Sequence, residues 1–239
     1  MLRRWDRLPQ QMQTESVRRY YEPLKRKWAS LLLKKGFDVV ASLLGLILLS
    51  PVFAVLAVWI KADSRGPVLF RQTRVTRYGR AFRIYKFRTM VADAESKGSQ
   101  VTVQGDSRIT RVGAKLRGCR LDELPQLINI LKGDMSFVGV RPEVPRYVEQ
   151  YTDEMYATLL LPAGVTSQAS ILYRDEQRLL DGAADPDRTY VEEVLPQKMA
   201  YNLRELASFS FWQDIRTMFR TLAAVLGESD AAPPENGGA

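Results

Sequence analysis

An uncharged run in the first quarter of the chain constrains its fold more than any other feature. From Val39 to Ile60 the sequence reads VVASLLGLILLSPVFAVLAVWI, 22 residues without a charged side chain. A straight helix of this length would just cross the hydrocarbon core of a bilayer. Ser50-Pro51 lies in the middle of the run, and proline removes a backbone hydrogen bond and clashes with the preceding turn. We therefore expect a kink at this position.

The charges on either side of the run restrict its topology. Basic side chains flank it on both sides: Lys25, Arg26, Lys27, Lys34 and Lys35 before it, and Lys61, Arg65, Arg71, Arg74, Arg77 and Arg80 after it. Because basic flanks stay on the cytoplasmic side, the pattern favours a re-entrant helix over residues 34–61, broken at Ser50-Pro51. Ser50 or neighbouring protein would cover the carbonyls that Pro51 leaves free. A single membrane pass and a buried helix of a water-soluble domain remain alternatives.

The composition excludes several kinds of chemistry. The 239 residues include no histidine and one cysteine, Cys119, which rules out imidazole catalysis, an internal disulfide and a thiolate metal cluster. Residues 1–120 hold 25 Lys and Arg against 8 Asp and Glu, whereas residues 121–239 hold 10 against 19. A basic half suits nucleic acid, an anionic membrane surface or phosphorylated substrates, and charge alone does not choose among them.

Residues 1–33 are predicted to form a basic extension at the cytoplasmic membrane interface. Aromatic side chains alternate with the basic ones here: Trp5, Tyr20, Tyr21 and Trp28. Such a mixture is typical of segments that lie at a membrane surface. The alternative is a solvated basic helix whose aromatic residues pack in the ordinary way.

Beyond the uncharged run, the patterning predicts short strands and helices. Apolar and polar residues alternate in Val68–Arg71 and Phe82–Phe87 around a turn at Tyr78-Gly79, which predicts a hairpin, and Met135–Val138 is strand-like. The spacing of Leu124, Leu127, Ile128 and Leu131 predicts a short helix over 123–132 that ends at Gly133. Helical patterning also covers residues 143–160, 176–181, 188–207 and 211–226. Residues 93–107 are predicted to be a loop, and residues 227–239 a disordered tail.

Adjacent carboxylates at Asp122 and Glu123 are the strongest candidates for chemistry. They stand at the predicted start of the short helix and follow a basic stretch with Arg108, Arg111, Lys115, Arg117 and Arg120. Acids at a helix start commonly satisfy free N–H groups and the helix dipole. Alternatively, the basic groups hold phosphates, Mg²⁺ binds the carboxylates, and an ionised aspartate attacks phosphorus.

Arg141 and Arg174 are further candidates. Each could grip a phosphate through its planar guanidinium group, and each could equally form a structural ion pair. The chain contains neither a P-loop motif nor a strand-turn-helix dinucleotide fingerprint.

Four sequence blocks, taken together and in order, resemble the bacterial sugar transferase family, the monotopic phosphoglycosyl transferases. The blocks span about residues 34–226: KKGFDVVASLLGLILLSPVF, GPVLFRQTRVTRYGRAFRIYKFRTM, LRGCRLDELPQLINILKGDMSFVGVRPE and SFWQD. The resemblance implies an α+β, mostly helical monotopic membrane protein with a re-entrant helix broken at Ser50-Pro51. It implies a small catalytic domain over residues 62–226 on the cytoplasmic face of the inner membrane.

The resemblance also implies an activity and roles for individual residues. The expected enzyme moves a sugar 1-phosphate from a nucleoside-diphosphate sugar, most often a UDP-sugar, to polyprenyl phosphate and releases the nucleoside monophosphate. Asp122 looks like the nucleophile that forms a phospho-sugar aspartate, and Glu123 its partner near Mg²⁺. Phosphate-binding roles carry over to Lys86, Arg117, Arg141 and Arg174.

Two segments depart from the usual family pattern, which leaves the transferred sugar undetermined. Pro162–Thr166 has alanine between proline and glycine, and Ser170–Asp175 resembles a subgroup with A-S-I-x-Y-R-D-E and a later L-P-x-K. Membrane lipids are expected partners, nucleic acid is not, and a homo-oligomer is left open. The alternative function is a non-catalytic membrane-surface protein that binds anionic lipid or nucleic acid through its basic half.

Overall fold

A computed structural model describes residues 2–94, 106–173 and 185–225. The α-helices and β-strands follow in this order: α1 Glu15–Arg26, α2 Trp28–Leu48, α3 Ser50–Asp63, β1 Leu69–Thr76, β2 Arg80–Phe87, α4 Arg111–Gly118, α5 Gln126–Leu131, β3 Met135–Val138, α6 Pro145–Val148, β4 Ala163–Thr166, α7 Gln168–Leu172, α8 Pro186–Thr189, α9 Leu195–Ser208 and α10 Phe211–Val225. Helix therefore predominates in a mixture with short strands, as the sequence predicts.

The predicted break at Ser50-Pro51 is confirmed. Helices α2 and α3 meet at Leu49 with a bend of 61°. Pro51 has no N–H to donate to the carbonyl of Ile47, one turn earlier, and the Ser50 hydroxyl donates to that carbonyl at 2.8 Å instead. Within the described ranges, no single helix meets the length and hydropathy that a membrane span requires, and α2 and α3 meet them only as a bent pair.

Helix α2 turns its polar stripe toward the protein and its apolar side chains outward. Lys34, Asp38 and Ser42, spaced four residues apart, are buried. The Lys34 ammonium donates to the carbonyl of Val138 at 2.7 Å, and Asp38 accepts from the N–H of Phe137 at 3.2 Å. Large apolar side chains along the bent pair are exposed, among them Leu48 at 75% and Val58 at 70%. This is the reverse of a helix that packs its apolar face on a domain in water.

The predicted hairpin is confirmed and is fixed to both α3 and α5. Strands β1 and β2 pair antiparallel around a turn in which Tyr78 has φ 59° and Gly79 has φ 71°. Just after β2, Arg88 donates to the carbonyls of Ser64 at 2.7 Å and Arg65 at 2.9 Å, where α3 has ended. On the free edge of β2, the Asn129 amide accepts from the N–H of Tyr85 and donates to the carbonyl of Arg83.

A two-stranded parallel sheet was only half predicted. The strand-like Met135–Val138 is β3, as expected, but its partner β4, over Ala163–Thr166, was missed because four residues carry too little alternation to be recognised. Just beyond β3, the backbone at Gly139 approaches the backbone of β4 very closely. A Cβ on Gly164 would lie 2.1 Å from the backbone nitrogen of Gly139, so only glycine fits. The departure from the family pattern at Pro162–Thr166 therefore falls on β4.

The N-terminal extension packs onto the rest of the protein. This segment forms a 3-10 turn at Trp5–Arg7, another at Gln10–Met12 and then α1. It buries five side chains in the largest hydrophobic cluster: Leu8 between the two turns, Met12, Val17, Tyr21 and Leu24. Helix α2 begins at Trp28, so the predicted boundary between residues 33 and 34 falls inside that helix. The aromatic residues thus belong partly to the core, whereas the basic residues Arg18, Arg19, Lys25 and Arg26 are exposed.

The other helix predictions have mixed outcomes. The predicted helix over 143–160 is wrong as one element, because the chain forms α6 and a separate 3-10 turn at Met155–Leu160. Two short turns bury the same apolar residues, and the intervening Thr152 and Asp153 are poor helix formers. The predicted helix over 188–207 is confirmed but starts earlier, with α8, a π-helical turn at Tyr190–Val194 and α9. Helix α10 matches 211–226 closely, whereas 176–181, most of 93–107 and the tail lie outside the described residues.

Candidate active site

The two candidate carboxylates lie in a 3-10 turn, Leu121–Glu123, ahead of α5 rather than at its first residues. Arg120 precedes the turn in the left-handed region, with φ 56°, a conformation that residues other than glycine rarely adopt. No side-chain capping hydrogen bond forms at the start of this turn or of α5 among the residues described. The helix-cap interpretation therefore finds no support in the geometry.

Glu123 is held by two cations. Its Oε1 accepts from Lys86 Nζ at 3.1 Å and from Arg141 Nη2 at 2.5 Å, and its Oε2 lies 3.4 Å from Arg141 Nη1. Burial alone would raise the pKa of this carboxyl, but Arg141 and Lys86 outweigh burial and hold the pKa of Glu123 well below its usual range. Glu123 is therefore an anion fixed in position at any physiological pH.

Asp122 differs from its neighbour because its carboxylate is buried without such partners. The residue is 7% exposed, and across residues 2–94, 106–173 and 185–225 no side chain donates a hydrogen bond to it. Burial raises the pKa of Asp122, the charge of Lys86 lowers it, Glu123 raises it, and Arg117 and Arg141 lower it. Burial is the largest of these influences, so the pKa of Asp122 is raised above its usual value although three cations surround it.

Three separate parts of the fold bring the cations to this pair. Lys86 stands near the end of β2, Arg117 is on α4, and Arg141 follows β3, so three of the four predicted phosphate-binding residues converge on Asp122 and Glu123. Arg174, the fourth, lies outside the described residues. The segment Ser170–Leu172 belongs to α7, whose first turn is capped by Ser167.

The sequence analysis missed Arg74 on β1. Arg74 donates to Gln72 and to the carbonyl of Pro142, at 3.2 Å, and its charge acts on both Lys86 and Arg141. The alternation of side chains along the predicted hairpin could have identified Arg74. Phe70 pairs with Lys86, and Arg74 lies four residues beyond Phe70, so it is on the same face of the hairpin as Lys86.

Two adjacent carboxylates could share a metal ion. In the described part of the chain no group of three or more acidic or cysteine side chains could enclose one. Mg²⁺ needs no such enclosure, because it keeps several waters and binds one or two carboxylates together with substrate phosphates. Glu123 and Asp122, whose oxygens accept no side-chain hydrogen bond from the part of the chain that the structure describes, fit that limited donor set.

The site places a buried carboxylate pair among three cations, an arrangement that could accept a negatively charged group. Comparison with known proteins places the chain in a family. The sequence model of the bacterial sugar transferase family matches residues 29–228. A UDP-N-acetylgalactosamine-undecaprenyl-phosphate N-acetylgalactosaminephosphotransferase of Aeromonas hydrophila is 39% identical over 81% of this chain and 44% of its own length. A UDP-glucose:undecaprenyl-phosphate glucose-1-phosphate transferase of Caulobacter vibrioides is 36% identical over 83% of this chain and 71% of its own length.

A third relative matches over nearly its whole length. The exopolysaccharide production protein PSS of Rhizobium leguminosarum is 37% identical over 82% of this chain and 96% of that protein. The chain thus covers less than half of the Aeromonas relative but almost all of the Rhizobium one. The chain belongs to the bacterial sugar transferase family.

Proposed function

We propose that this protein transfers a sugar 1-phosphate from a nucleoside-diphosphate sugar, a UDP-sugar as in the named relatives, to undecaprenyl phosphate at the start of lipid-linked glycan synthesis. The observation that carries the proposal is the contrast within the carboxylate pair. Glu123 is tied to Lys86 and Arg141, whereas Asp122 is buried among cations with no donor to its oxygens in the described residues. A carboxylate left in this state is poised to act as a nucleophile.

In the first step, an Asp122 oxygen forms a bond to the phosphorus next to the sugar. The bond from that phosphorus to the bridging oxygen breaks, and the nucleoside monophosphate leaves with the electron pair. In the second step, a phosphate oxygen of the lipid attacks the same phosphorus and Asp122 leaves as a carboxylate. Dividing one difficult displacement into two in this way is the usual benefit of covalent catalysis.

The cations have the complementary task of stabilising the negative charge of the diphosphate. Lys86 and Arg141 are fixed by Glu123, so they meet the substrate without first having to be ordered. Arg117 adds charge on the Asp122 side, and Arg174 is proposed to join the set. Mg²⁺ held by Glu123 and Asp122 would supply charge neutralisation of the phosphates when bound.

We place the bent pair α2 and α3 in the cytoplasmic leaflet of the inner membrane, with residues 62–226 on the cytoplasmic face. Exposed apolar side chains along the pair would contact lipid, and the inward polar stripe of Lys34, Asp38 and Ser42 would be shielded from it. Basic flanks at both ends favour a return to the same side.

The activity is tested by incubating the full chain in detergent with Mg²⁺, undecaprenyl phosphate and a panel of UDP-sugars, and by measuring UMP release. We expect release with at least one sugar, and loss of release in EDTA that Mg²⁺ reverses. Without lipid acceptor, mass spectrometry should find a phospho-sugar on Asp122. A chain that binds anionic vesicles but releases no UMP from any sugar nucleotide would favour the non-catalytic alternative.

The topology is tested separately with single cysteines. In a Cys119→Ser background, Ser30→Cys in the first turn of α2 and Ser64→Cys after α3 should both react with an impermeant reagent only from the cytoplasmic side. Labelling from opposite sides would contradict the re-entrant placement. A Pro51→Ala variant is expected to straighten the pair and to disturb this pattern.

A further inference from the structure

A buried polar network lies directly behind Arg141 and takes no part in the reaction as proposed. Its members are Glu143, Tyr190 and Lys198, which are 6%, 2% and 5% exposed. The Tyr190 hydroxyl donates to Glu143 Oε1 at 2.5 Å, and Lys198 Nζ donates to the Tyr190 hydroxyl at 3.0 Å. Lys198 Nζ also lies 3.8 Å from Glu143 Oε1. We call this set the anchor network.

The anchor network joins the chain that carries Arg141 to the C-terminal helices. Glu143 is two residues beyond Arg141, and Pro142 between them restricts the backbone. Tyr190 begins the π-helical turn Tyr190–Val194, and Lys198 is the lysine of the L-P-x-K motif in the first turn of α9. A π-helical turn is rare and usually has a functional reason, and here it begins at the residue that bonds Glu143.

The backbone on both sides of Arg141 is also held. Before it, the N–H of Gly139 donates to the carbonyl of Thr166 and the carbonyl of Val140 accepts from Gly164. After it, the carbonyl of Pro142 accepts from Arg74, and the carbonyl of Glu143 accepts from Val75 at 2.9 Å. The Glu143 side chain is therefore a point at which the π-helical turn and α9 could adjust this segment.

Charge balance gives the network a second effect on the site. Lys86, Arg141 and Arg74 act on one another as like charges, and Glu143 lies within electrostatic range of Arg74. An ionised Glu143 offsets part of this repulsion, provided that Tyr190 and Lys198 stabilise it in its buried position. Removal of either partner would leave a buried carboxylate poorly compensated, and the chain around it would have to shift.

We infer that Tyr190 and Lys198 are positioning residues, which through Glu143 set the placement of Arg141 on Glu123 and on the substrate diphosphate. The inference rests on the proposed function, since it assigns residues to that reaction. Small displacements of a positioning group reduce turnover strongly, so the network should affect kcat although none of its members touches Asp122 or Glu123.

The test is a double-mutant cycle on UMP release by the full chain, with Tyr190→Phe and Arg141→Lys. Tyr190→Phe alone should lower kcat about 10- to 100-fold. In the Arg141→Lys background the same substitution should cause almost no further loss, because the group it positions has already been changed. The matched control is Tyr21→Phe, a buried tyrosine whose hydroxyl bonds to the carbonyl of Arg3, and its kcat should stay unchanged.

Other outcomes overturn the inference. A Tyr190→Phe protein with a lower unfolding temperature and normal kcat would show a merely structural role, and multiplicative losses in the double variant would show that Tyr190 acts independently of Arg141. If Tyr190→Phe does not fold, Lys198→Met takes its place and should lower the kcat of UMP release. Adding Glu143→Gln to Lys198→Met should raise kcat again, because the unpaired carboxylate is gone. A double variant with a kcat no higher than that of Lys198→Met would contradict the role of the anchor network. No UMP release by the unsubstituted chain would instead defeat the proposed function.

Discussion

Two buried charge clusters in this molecule have opposite composition. The dyad cluster places Asp122 and Glu123 among Lys86, Arg117 and Arg141. The junction cluster, where α2 meets β3, α9 and α10, places three carboxylates around one lysine: Asp38, Glu205 and Asp214 around Lys34. Lys34 Nζ lies 2.6 Å from Asp214, and Glu205 accepts from the N–H of Gln168 at 3.1 Å.

The difference in charge balance suits the dyad cluster to binding an anion and the junction cluster to a structural role. In the dyad cluster Arg141 and Lys86 outweigh burial at Glu123 and hold its pKa far below its usual range, whereas at Asp122 burial is the larger influence and raises the pKa. Three cations face two carboxylates, which leaves positive charge for an incoming phosphate. In the junction cluster burial is the larger influence, and with repulsion from Asp214 it raises the pKa of Glu205 to about 7. Such a cluster attracts protons rather than anions, and its contacts secure the bent helix pair to the domain.

The largest contrast should come from removing one carboxylate from each cluster. Asp122→Asn should reduce UMP release by at least about 1000-fold and abolish the adduct, because an amide is not a competent nucleophile. Asp214→Asn should leave turnover per folded protein unchanged, although it weakens the contact with Lys34. Near-normal turnover of Asp122→Asn would contradict both the mechanism and the comparison.

Removing one lysine from each cluster should have opposite effects on stability and turnover. Lys34→Met leaves buried carboxylates uncompensated and should destabilise the fold by about 3 kcal/mol, seen as a lower unfolding temperature. Lys86→Met should instead lower turnover about 100-fold with little change in that temperature, because Arg141 still pairs with Glu123. Lys35→Met, an exposed neighbour of Lys34, is the control. Equal loss of stability in Lys34→Met and Lys86→Met would contradict the assignment of a structural role to the junction cluster alone.

The smallest effect concerns pH and Glu205. Its folded-state pKa of about 7 exceeds its ordinary value of 4.5, so between these pH values the folded protein binds the proton more tightly than the unfolded chain. Stability should therefore fall as pH rises from about 4.5 to 7. Glu205→Gln should flatten this dependence and raise the unfolding temperature at pH 8 by a few degrees, whereas exposed Glu149→Gln should not. An unchanged pH profile for Glu205→Gln would show that the carboxylate is ionised throughout.

Much of the local structure could be predicted from the sequence. The kink at Pro51 and the hairpin turn at Tyr78-Gly79 follow from backbone restrictions that act within a few residues. The carboxylate pair was found because two acids follow a basic stretch directly. The helix predicted over 143–160 failed because apolar periodicity records which residues are buried, and two short turns bury them as well as one helix does.

The candidate active site also depends partly on local sequence and partly on tertiary packing. The sequence determined that Asp122 and Glu123 stand together, that no imidazole or thiolate cluster could assist them, and that a basic stretch directly precedes them. Only the tertiary structure decided that Glu123 takes the ion pairs while Asp122 has none in the described residues, that Arg74 joins the site, and that Tyr190 and Lys198 lie behind Arg141. The physical reason is distance along the chain: Tyr190 bonds Glu143 across 47 residues and Lys86 bonds Glu123 across 37, and such pairs follow from packing rather than from local pattern.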